Sequence, residues 1–142
     1  MTIVVDASVA LKWYLSEDDS EAALALLDSS ERLIAPDLIV AELCNAAWRL
    51  IRRGELRAEQ LAIIARGVAD AFATLHGSAS LATRAAAIAL ELDHPVYDCF
   101  YLALSEARNA PLVTADRRLI LKVEGTPFAP RAVHLSAAAD RR

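Results

Sequence analysis

The stretch that decides the fold is TIVVDAS at residues 2–8. Its branched aliphatic residues, Ile3 to Val5, predict a strand that is buried on both faces, as strands of parallel sheets are. This strand ends at Asp6, where a helical pattern begins. Because ligands bind at the carboxyl ends of strands in parallel α/β sheets, Asp6 is a candidate functional residue. Its alternative role is to cap the following helix, for which aspartate is well suited.

The rest of the chain alternates short apolar strands with helices. Further strands are predicted at residues 33–35, 111–114 and 132–135. Helices are predicted at residues 7–15, 20–27, 37–53, 59–72, 80–92, 96–108 and 117–123. This alternation indicates an α/β fold in which helices flank a central, mainly parallel sheet. Because repeats and Pro/Gly-rich linkers are absent, we expect one domain over residues 1–135 and a frayed C-terminal tail over residues 136–142.

Composition and charge exclude several classes of protein. Of the 142 residues, 56% are hydrophobic, which is enough for a core without disulfides. No uncharged apolar run reaches about 18 residues, so no membrane span is expected. The N-terminus lacks the basic region and apolar run of a signal peptide, so we expect a cytoplasmic protein. The net charge is −4, but basic residues are in excess after residue 48.

Several familiar kinds of site lack a required motif. The four glycines form neither a P-loop nor a dinucleotide-binding fingerprint, and there is no GxSxG motif. Cys44 and Cys99 lie in apolar helical segments without a CxxC pair, so we expect reduced core cysteines and no zinc site. The three histidines are isolated in the sequence, and we expect surface or loop positions for His76, His94 and His134.

Three further acids have settings comparable to that of Asp6. Asp116 follows the third predicted strand and Asp98 occupies the first turn of a helix, so capping and the helix dipole are their alternative explanations. Glu42 lies in the apolar stretch IVAELC, where a glutamate is seldom buried unless it is paired or binds a metal. Its alternative is a narrow solvated helix face, which Asn45 would continue.

Four carboxylates in one cleft would repel one another unless some are protonated or cations neutralise them. All-oxygen ligands favour hard cations, so Mg²⁺ or Mn²⁺ is expected in preference to zinc or copper. Paired ions suit phosphodiester hydrolysis, since one activates water while the other stabilises the leaving oxygen. The acids therefore indicate a metal-dependent hydrolase and leave the number of ions open.

Four short motifs, in this order, resemble those of the PIN-domain nucleases. They are Asp6-Ala7-Ser8, Ala41-Glu42-Leu43-Cys44-Asn45, Tyr97-Asp98-Cys99-Phe100-Tyr101-Leu102-Ala103-Leu104 and Leu112-Val113-Thr114-Ala115-Asp116. More narrowly, the chain is similar to the VapC-type toxins of toxin–antitoxin pairs, from Ile3 to about Leu135. The resemblance implies a PIN-like fold, cleavage of RNA, a homodimer and inhibition by a small cognate VapB-type antitoxin.

The same resemblance assigns roles to the residues of these motifs. It implies that Asp6 and Asp98 bind the metal directly, and that Glu42 and Asp116 complete the acidic pocket directly or through water. All four acids are therefore candidate catalytic and metal-binding residues. The supporting polar groups are expected to be Ser8, Thr114 and Asn45.

A row of arginines on the predicted helix of Glu42 is the candidate RNA-binding surface. Its members are Arg49, Arg52 and Arg53. Arginine contacts phosphate through two hydrogen bonds, although a solvated helix end that complements the dipole is the alternative role. Three aromatic residues could also stack on bases, but packing in the core or in a dimer interface is expected. They are Trp13, Tyr14 and Trp48.

Other functions on a similar fold make different demands on the sequence. A phosphatase that uses strand-end aspartates would carry a second aspartate two residues after Asp6, where this chain has Ser8. A phospho-receiver domain needs a lysine late in the sheet, whereas Lys122 follows a predicted helix. A non-catalytic PIN-like binding protein would be favoured by loss of an acid, but all four are present.

Overall fold

The computed structural model describes residues 1–140. The strands are β1 (Thr2–Val5), β2 (Arg32–Pro36), β3 (Thr74–His76), β4 (Leu112–Thr114) and β5 (Ala132–His134). The α-helices are α1 (Ala7–Leu11), α2 (Ser20–Leu27), α3 (Leu38–Arg52), α4 (Glu59–Gly67), α5 (Ser78–Leu92), α6 (Val96–Arg108), α7 (Arg117–Val123) and α8 (Leu135–Asp140). Short 3₁₀ segments cover Lys12–Tyr14, Val68–Ala71 and Ala129–Arg131.

The five strands form one sheet in the order β3-β2-β1-β4-β5, and every neighbouring pair is parallel. The predicted α/β fold with a parallel sheet is therefore confirmed. From β1 the chain first builds the sheet outward through β2 and β3, and later returns to add β4 and β5 on the other side. The boundary between β1 and β4 is thus the topological switch point, where ligands bind in open α/β sheets. Asp6 and Asp116 follow these two strands.

The central strand and the helices around it form the core. Val4 and Val5 are completely buried, as a strand in the middle of a parallel sheet requires. Helix α6 packs against β1, β2 and β4, and α5 packs against α6. Cys99 on α6 is buried and Cys44 on α3 is partly buried, and both are free thiols, as expected. None of the helices within residues 1–140 is both long and apolar enough to cross a membrane.

Helix α3, which carries Glu42, ends where the sequence predicts. Gly54 has a φ of +74°, a conformation that glycine adopts without steric cost. The N–H of Glu55 donates to the carbonyl of Leu50 at 2.8 Å, and the N–H of Gly54 donates to that of Ile51 at 3.0 Å. This pair of bonds is a Schellman motif, which satisfies the last carbonyl groups of the helix.

Four sequence-based expectations about local structure are wrong. Strand β3 is not predicted, because a three-residue, half-buried edge strand has no apolar run or alternation to reveal it. The helices expected over residues 7–15 and 59–72 leave α-helical geometry after Leu11 and Gly67, respectively. The expected frayed tail instead begins as α8, since Leu135 and Ala138 are buried and α8 packs against α2. Residues 141–142 of that expected tail lie outside the described residues.

Candidate active site

Asp6 connects the ends of the two strands at the switch point. Its side chain does not cap α1, so the capping alternative is wrong for this residue. Instead, Oδ2 of Asp6 accepts hydrogen bonds from Oγ1 of Thr114 at 2.6 Å and from Oγ of Ser8 at 2.8 Å. The residue is only 4% exposed. The carboxylate is therefore held in one orientation at the carboxyl end of the sheet.

Ser8 and Thr114 also hold the segment that leads to Asp116. The N–H of Ala115 donates to Oγ of Ser8, and the N–H of Asp116 donates to Oγ1 of Thr114, both at 3.0 Å. The two hydroxyl oxygens lie 3.3 Å apart. Ser8 and Thr114, two of the three predicted supporting residues, thus form one polar network between the ends of β1 and β4, whereas Asn45 takes no part in it.

Glu42 reaches this region from α3 and is partly buried. Its Oε1 accepts a hydrogen bond of 2.7 Å from the phenol of Tyr101, which has no exposed surface. Sequence reasoning included Tyr101 in a motif but gave it no role. The available signal was its position three residues after Asp98, which places both side chains on neighbouring parts of one helix face.

Asp98 is held by a histidine that precedes its helix. Nε2 of His94 lies 2.6 Å from Oδ2 of Asp98, and the His94 side chain is only 13% exposed. The residue is in a loop, as expected, but it is not isolated from the acidic residues. The spacing of four residues between His94 and Asp98 was a usable signal. However, His94 precedes α6, so this spacing brings the two side chains together only when the loop before α6 is folded.

Asp116 combines a structural contact with a position beside the other acids. Its Oδ1 accepts a hydrogen bond of 2.9 Å from the N–H of Arg118, so the capping alternative is confirmed for this residue. Its negative charge nevertheless contributes to the raised pKa of Asp6. Capping and membership of the acidic group are therefore compatible.

The acids influence one another electrostatically. Burial is the largest cause that raises the pKa of Asp6 to about 6, and the charges of Asp98 and Asp116 add to it. Burial likewise raises the pKa of Glu42 to about 7, with further contributions from Asp6 and Asp98. The hydrogen bonds from Thr114, Ser8 and Tyr101 act in the opposite direction because they stabilise the ionised carboxylates. The mutual repulsion expected from the sequence is thus present.

One oxygen of each carboxylate is held by the protein, and the other is available to a ligand. Within residues 1–140, no protein hydrogen bond reaches Oδ1 of Asp6, Oε2 of Glu42, Oδ1 of Asp98 or Oδ2 of Asp116. Oxygen donors of this kind fit Mg²⁺ or Mn²⁺. However, no three acidic, histidine or cysteine side chains in the described chain are gathered closely enough to enclose an ion. The donor atoms fit such an ion in their chemistry, and the acidic side chains would have to move closer to one another to surround it.

A groove of about 520 Å³ runs beside this group. Its polar lining residues are Ser8, Glu42, Asn45, Arg49 and Tyr97. Arg49 is thus the member of the arginine row that reaches the groove. Arg52 and Arg53 lie beyond its lining, and the guanidinium of Arg52 is 5.8 Å from the centre of the Trp48 ring.

The three aromatic residues differ in exposure. Trp13 packs against Phe72 with ring centres 5.8 Å apart, and its Nε1 donates to the carbonyl of Ala23 at 2.9 Å. Tyr14 is also packed against the core. Both therefore pack as expected, whereas Trp48 is 51% exposed.

Comparisons with known proteins agree with the fold and with the family that the motifs resemble. The PIN domain family profile matches residues 3–125. Ribonuclease VapC3 of Pyrobaculum aerophilum is 35% identical over 124 residues, which cover 86% of this chain and 95% of that protein. Ribonuclease VapC9 of Mycobacterium tuberculosis is 35% identical over 125 residues, covering 82% of this chain and 87% of that protein.

A solved structure gives the same result for the fold. The chain superposes on a chain of VapBC2 from Rickettsia felis, determined with a DNA fragment from the promoter, with a TM-score of 0.67 and 16% identity. The match covers 94% of this chain and 98% of that one. The solved structure shows the same fold, and the family profile and the two relatives establish that this chain belongs to the PIN domain family and, within it, to the VapC ribonucleases.

Proposed function

We propose that this protein is a Mg²⁺- or Mn²⁺-dependent endoribonuclease and the toxin of a toxin–antitoxin pair. The observation that carries the proposal is the set of four electrostatically coupled acids at the switch point, each with one oxygen free of protein hydrogen bonds in residues 1–140. Two relatives that are 35% identical are named ribonucleases, which supports RNA cleavage as the reaction.

The proposed catalytic and metal-binding residues are Asp6, Glu42, Asp98 and Asp116. A bound divalent ion would supply an activated water and stabilise the leaving oxygen of a phosphodiester. The protein's own contribution is orientation: Thr114 and Ser8 hold Asp6, Tyr101 holds Glu42 and His94 holds Asp98. Such supporting contacts reduce the cost of arranging ligands around a metal.

The groove beside the acids is the proposed path of the RNA. Arg49 provides a cation in the groove for a phosphate group, and Asn45 provides donors and acceptors for a base or a sugar. A VapB-type antitoxin would inhibit by packing an apolar segment beside this groove while a basic side chain enters it. We also propose the homodimer that the family resemblance implies.

An assay on the purified full-length chain tests the reaction. RNA cleavage should stop with chelator, return with Mg²⁺ or Mn²⁺, and be lost in Asp98→Asn. Asp70→Asn is a matched control, because Asp70 is exposed and makes no side-chain hydrogen bond or ion pair in residues 1–140. Cleavage by rigorously metal-free protein would exclude the proposed mechanism. Metal-dependent cleavage that survives in Asp98→Asn would exclude the proposed site.

Co-expression tests the assembly. The toxin should be recovered with a small partner encoded beside it, and cleavage should resume when the partner is removed. A monomer by light scattering, with no such partner recovered from the native source, would contradict this part of the proposal and leave the reaction unaffected.

A further inference from the structure

A second polar cavity, of about 310 Å³, lies over the β2–β3 side of the sheet. It is lined by Thr2, Arg32, Ile34, Thr74, His76 and Arg108. The strand register explains this grouping, because Thr2 pairs with Arg32, and Ile34 pairs with Thr74. Arg108, the last residue of α6, completes the lining. We call this cavity the Arg32–Arg108 pocket.

The pocket concentrates positive charge without an acidic partner. An Nη2 of Arg108 donates to Nδ1 of His76 at 3.3 Å. Neither arginine forms an ion pair with a carboxylate in the described part of the chain. Asp37, whose N–H donates to the carbonyl of His76, directs its carboxylate to Ser78 instead. This arrangement is unexpected in a protein with a net charge of −4.

The electrostatics of His76 agree with this description. Burial is the largest cause that lowers its pKa, and the charges of Arg108 and Arg32 lower it further. Both guanidinium groups are therefore near enough to disfavour a third positive charge. An anion placed between them would relieve that repulsion.

The lining chemistry points to a particular anion. Guanidinium groups bind the oxygens of phosphate through paired, charge-assisted hydrogen bonds. The hydroxyls of Thr2 and Thr74 can donate to a third and fourth oxygen, which a tetrahedral group has and a carboxylate lacks. We propose that the Arg32–Arg108 pocket binds a phosphate group.

This pocket is separate from the acidic site. Asp98 lies in the first turn of α6 and Arg108 at its last residue. Ten residues of α-helix span about 15 Å along the axis, so the phosphate would lie well away from the reacting bond. The proposal therefore concerns a second binding site and does not depend on the proposed nuclease activity.

Titration of the full-length protein with inorganic phosphate, in the presence of chelator, tests the proposal. In NMR spectra the imidazole signals of His76 should shift with phosphate and saturate. The imidazole signals of His134 should not shift. His134 is the last residue of β5, the opposite edge strand, and its Nδ1 is hydrogen-bonded to Ser136. Acetate at equal ionic strength should have a much smaller effect. Equal responses of His76 and His134, or equal effects of acetate and phosphate, would overturn the proposal.

Variants give an independent measurement by calorimetry. Arg32→Gln and Arg108→Gln should each weaken phosphate binding about tenfold, the effect of losing one charge-assisted hydrogen bond. Arg66→Gln removes an exposed arginine on α4 and should leave the affinity unchanged. Arg108→Lys keeps the charge without the planar fork and should have an intermediate affinity. Unchanged affinity in folded Arg32→Gln and Arg108→Gln proteins would exclude this pocket.

A competition experiment identifies the source of the phosphate. A short single-stranded RNA, added with chelator so that it stays intact, should displace inorganic phosphate if the pocket holds the backbone of a nucleic acid. If phosphate binds and the RNA does not displace it, the pocket takes free phosphate or a small phosphate ester. Either result supports the site, whereas the absence of phosphate binding overturns it and leaves the proposed nuclease intact.

Discussion

The phenol of Tyr101 donates a 2.7 Å hydrogen bond to Oε1 of Glu42 and so joins α6 to α3 beside the acidic site. Tyr101 has no exposed surface, while Glu42 borders the groove. Because the phenol of Tyr101 is fixed by burial, its hydrogen bond also fixes the position of the Glu42 carboxylate in the groove. It also lowers the pKa of Glu42, although burial and the neighbouring acids outweigh this effect and the pKa is raised to about 7.

Replacing the phenol of Tyr101 should change both the pKa of Glu42 and the stability of the fold. In Tyr101→Phe the pKa of Glu42 should rise further, because the hydrogen bond that stabilises the ionised carboxylate is lost. The fold should lose about 1–3 kcal/mol, and more at pH 8 than at pH 5, since the ionised form is the one left unsatisfied. Urea denaturation and NMR titration of Glu42 measure both effects. Tyr14→Phe is the control, because the Tyr14 hydroxyl makes no hydrogen bond within residues 1–140, and an unchanged Glu42 in Tyr101→Phe would contradict the assignment.

Asp98→Asn should relieve repulsion in the metal-free protein. The charge of Asp98 contributes to the raised pKa values of both Asp6 and Glu42, so its removal should lower both. Stability with chelator should therefore be unchanged or higher. The contact with His94 need not be lost, because the side-chain amide oxygen that Asp98→Asn introduces can still accept a hydrogen bond from His94.

The response to metal should distinguish this view from a purely structural role for Asp98. Wild type should gain stability with Mg²⁺ according to its affinity, and Asp98→Asn should gain less and lose cleavage. Thermal unfolding with chelator and across a Mg²⁺ titration gives both quantities. If Asp98 served only to complement the helix dipole, the variant would be less stable without metal and would respond to Mg²⁺ as wild type does.

The metal-free protein should lose stability as the pH rises from about 4 to about 7. The pKa of Asp6 rises from 3.8 to about 6 on folding, and that of Glu42 from 4.5 to about 7. A carboxyl group with a raised pKa keeps its proton in the folded state while the unfolded chain releases it, so stability falls through this window and stays low above it. For Asp6 the rise corresponds to about 3 kcal/mol, and the partly exposed Glu42 contributes less because solvent screens it.

Urea denaturation at pH 5 and pH 8 with chelator measures this dependence. Mg²⁺ should restore more stability at pH 8, because metal binding favours the ionised carboxylates. Asp6→Asn should flatten the profile, since the substitution removes the main titrating group. A wild-type stability that is constant or increases over this range would show that the acids do not carry the inferred repulsion.

Arg49 should contribute more to RNA binding than the other two arginines of the row. It lines the groove with Glu42, whereas Arg52 and Arg53 lie beyond the lining. Arg49→Gln should weaken binding and reduce the slope of log affinity against log salt by about 0.7, the value for one phosphate contact with a single strand. Fluorescence anisotropy with chelator at several salt concentrations measures the slope. Equal effects of Arg52→Gln and Arg53→Gln would indicate general attraction by the helix end.

The parallel sheet and its helices could be predicted because their signals are local. The aliphatic residues of β1, and Gly54 after α3, act through contacts with their immediate neighbours in the chain. Strand β3 and helix α8 were not predicted, because their signals are not local. Three residues at a sheet edge and a six-residue alanine-rich segment acquire structure from what they pack against.

The acidic residues of the candidate site and the hydroxyls beside Asp6 could also be predicted, but not the groups that hold Glu42 and Asp98. Asp6 and Asp116 follow parallel strands, and the carboxyl ends of such strands lie at one edge of a sheet. The roles of Tyr101 and His94 could not be assigned in the same way. Each depends on how α6 and the loop before it are placed against other elements, which residue spacing alone does not specify.

The sequence by itself determined most of the elements, the parallel sheet, the family and the acidic character of the residues at its switch point. Only the tertiary structure decided which oxygen of each carboxylate is held, how burial changes the pKa values, and which arginine enters the groove. Hydrophobic periodicity and turn chemistry act over a few residues. In contrast, Glu42 meets Tyr101 across 59 positions and Asp6 meets Thr114 across 108. Burial and hydrogen bonding at such separations arise only when the packed core brings these segments together.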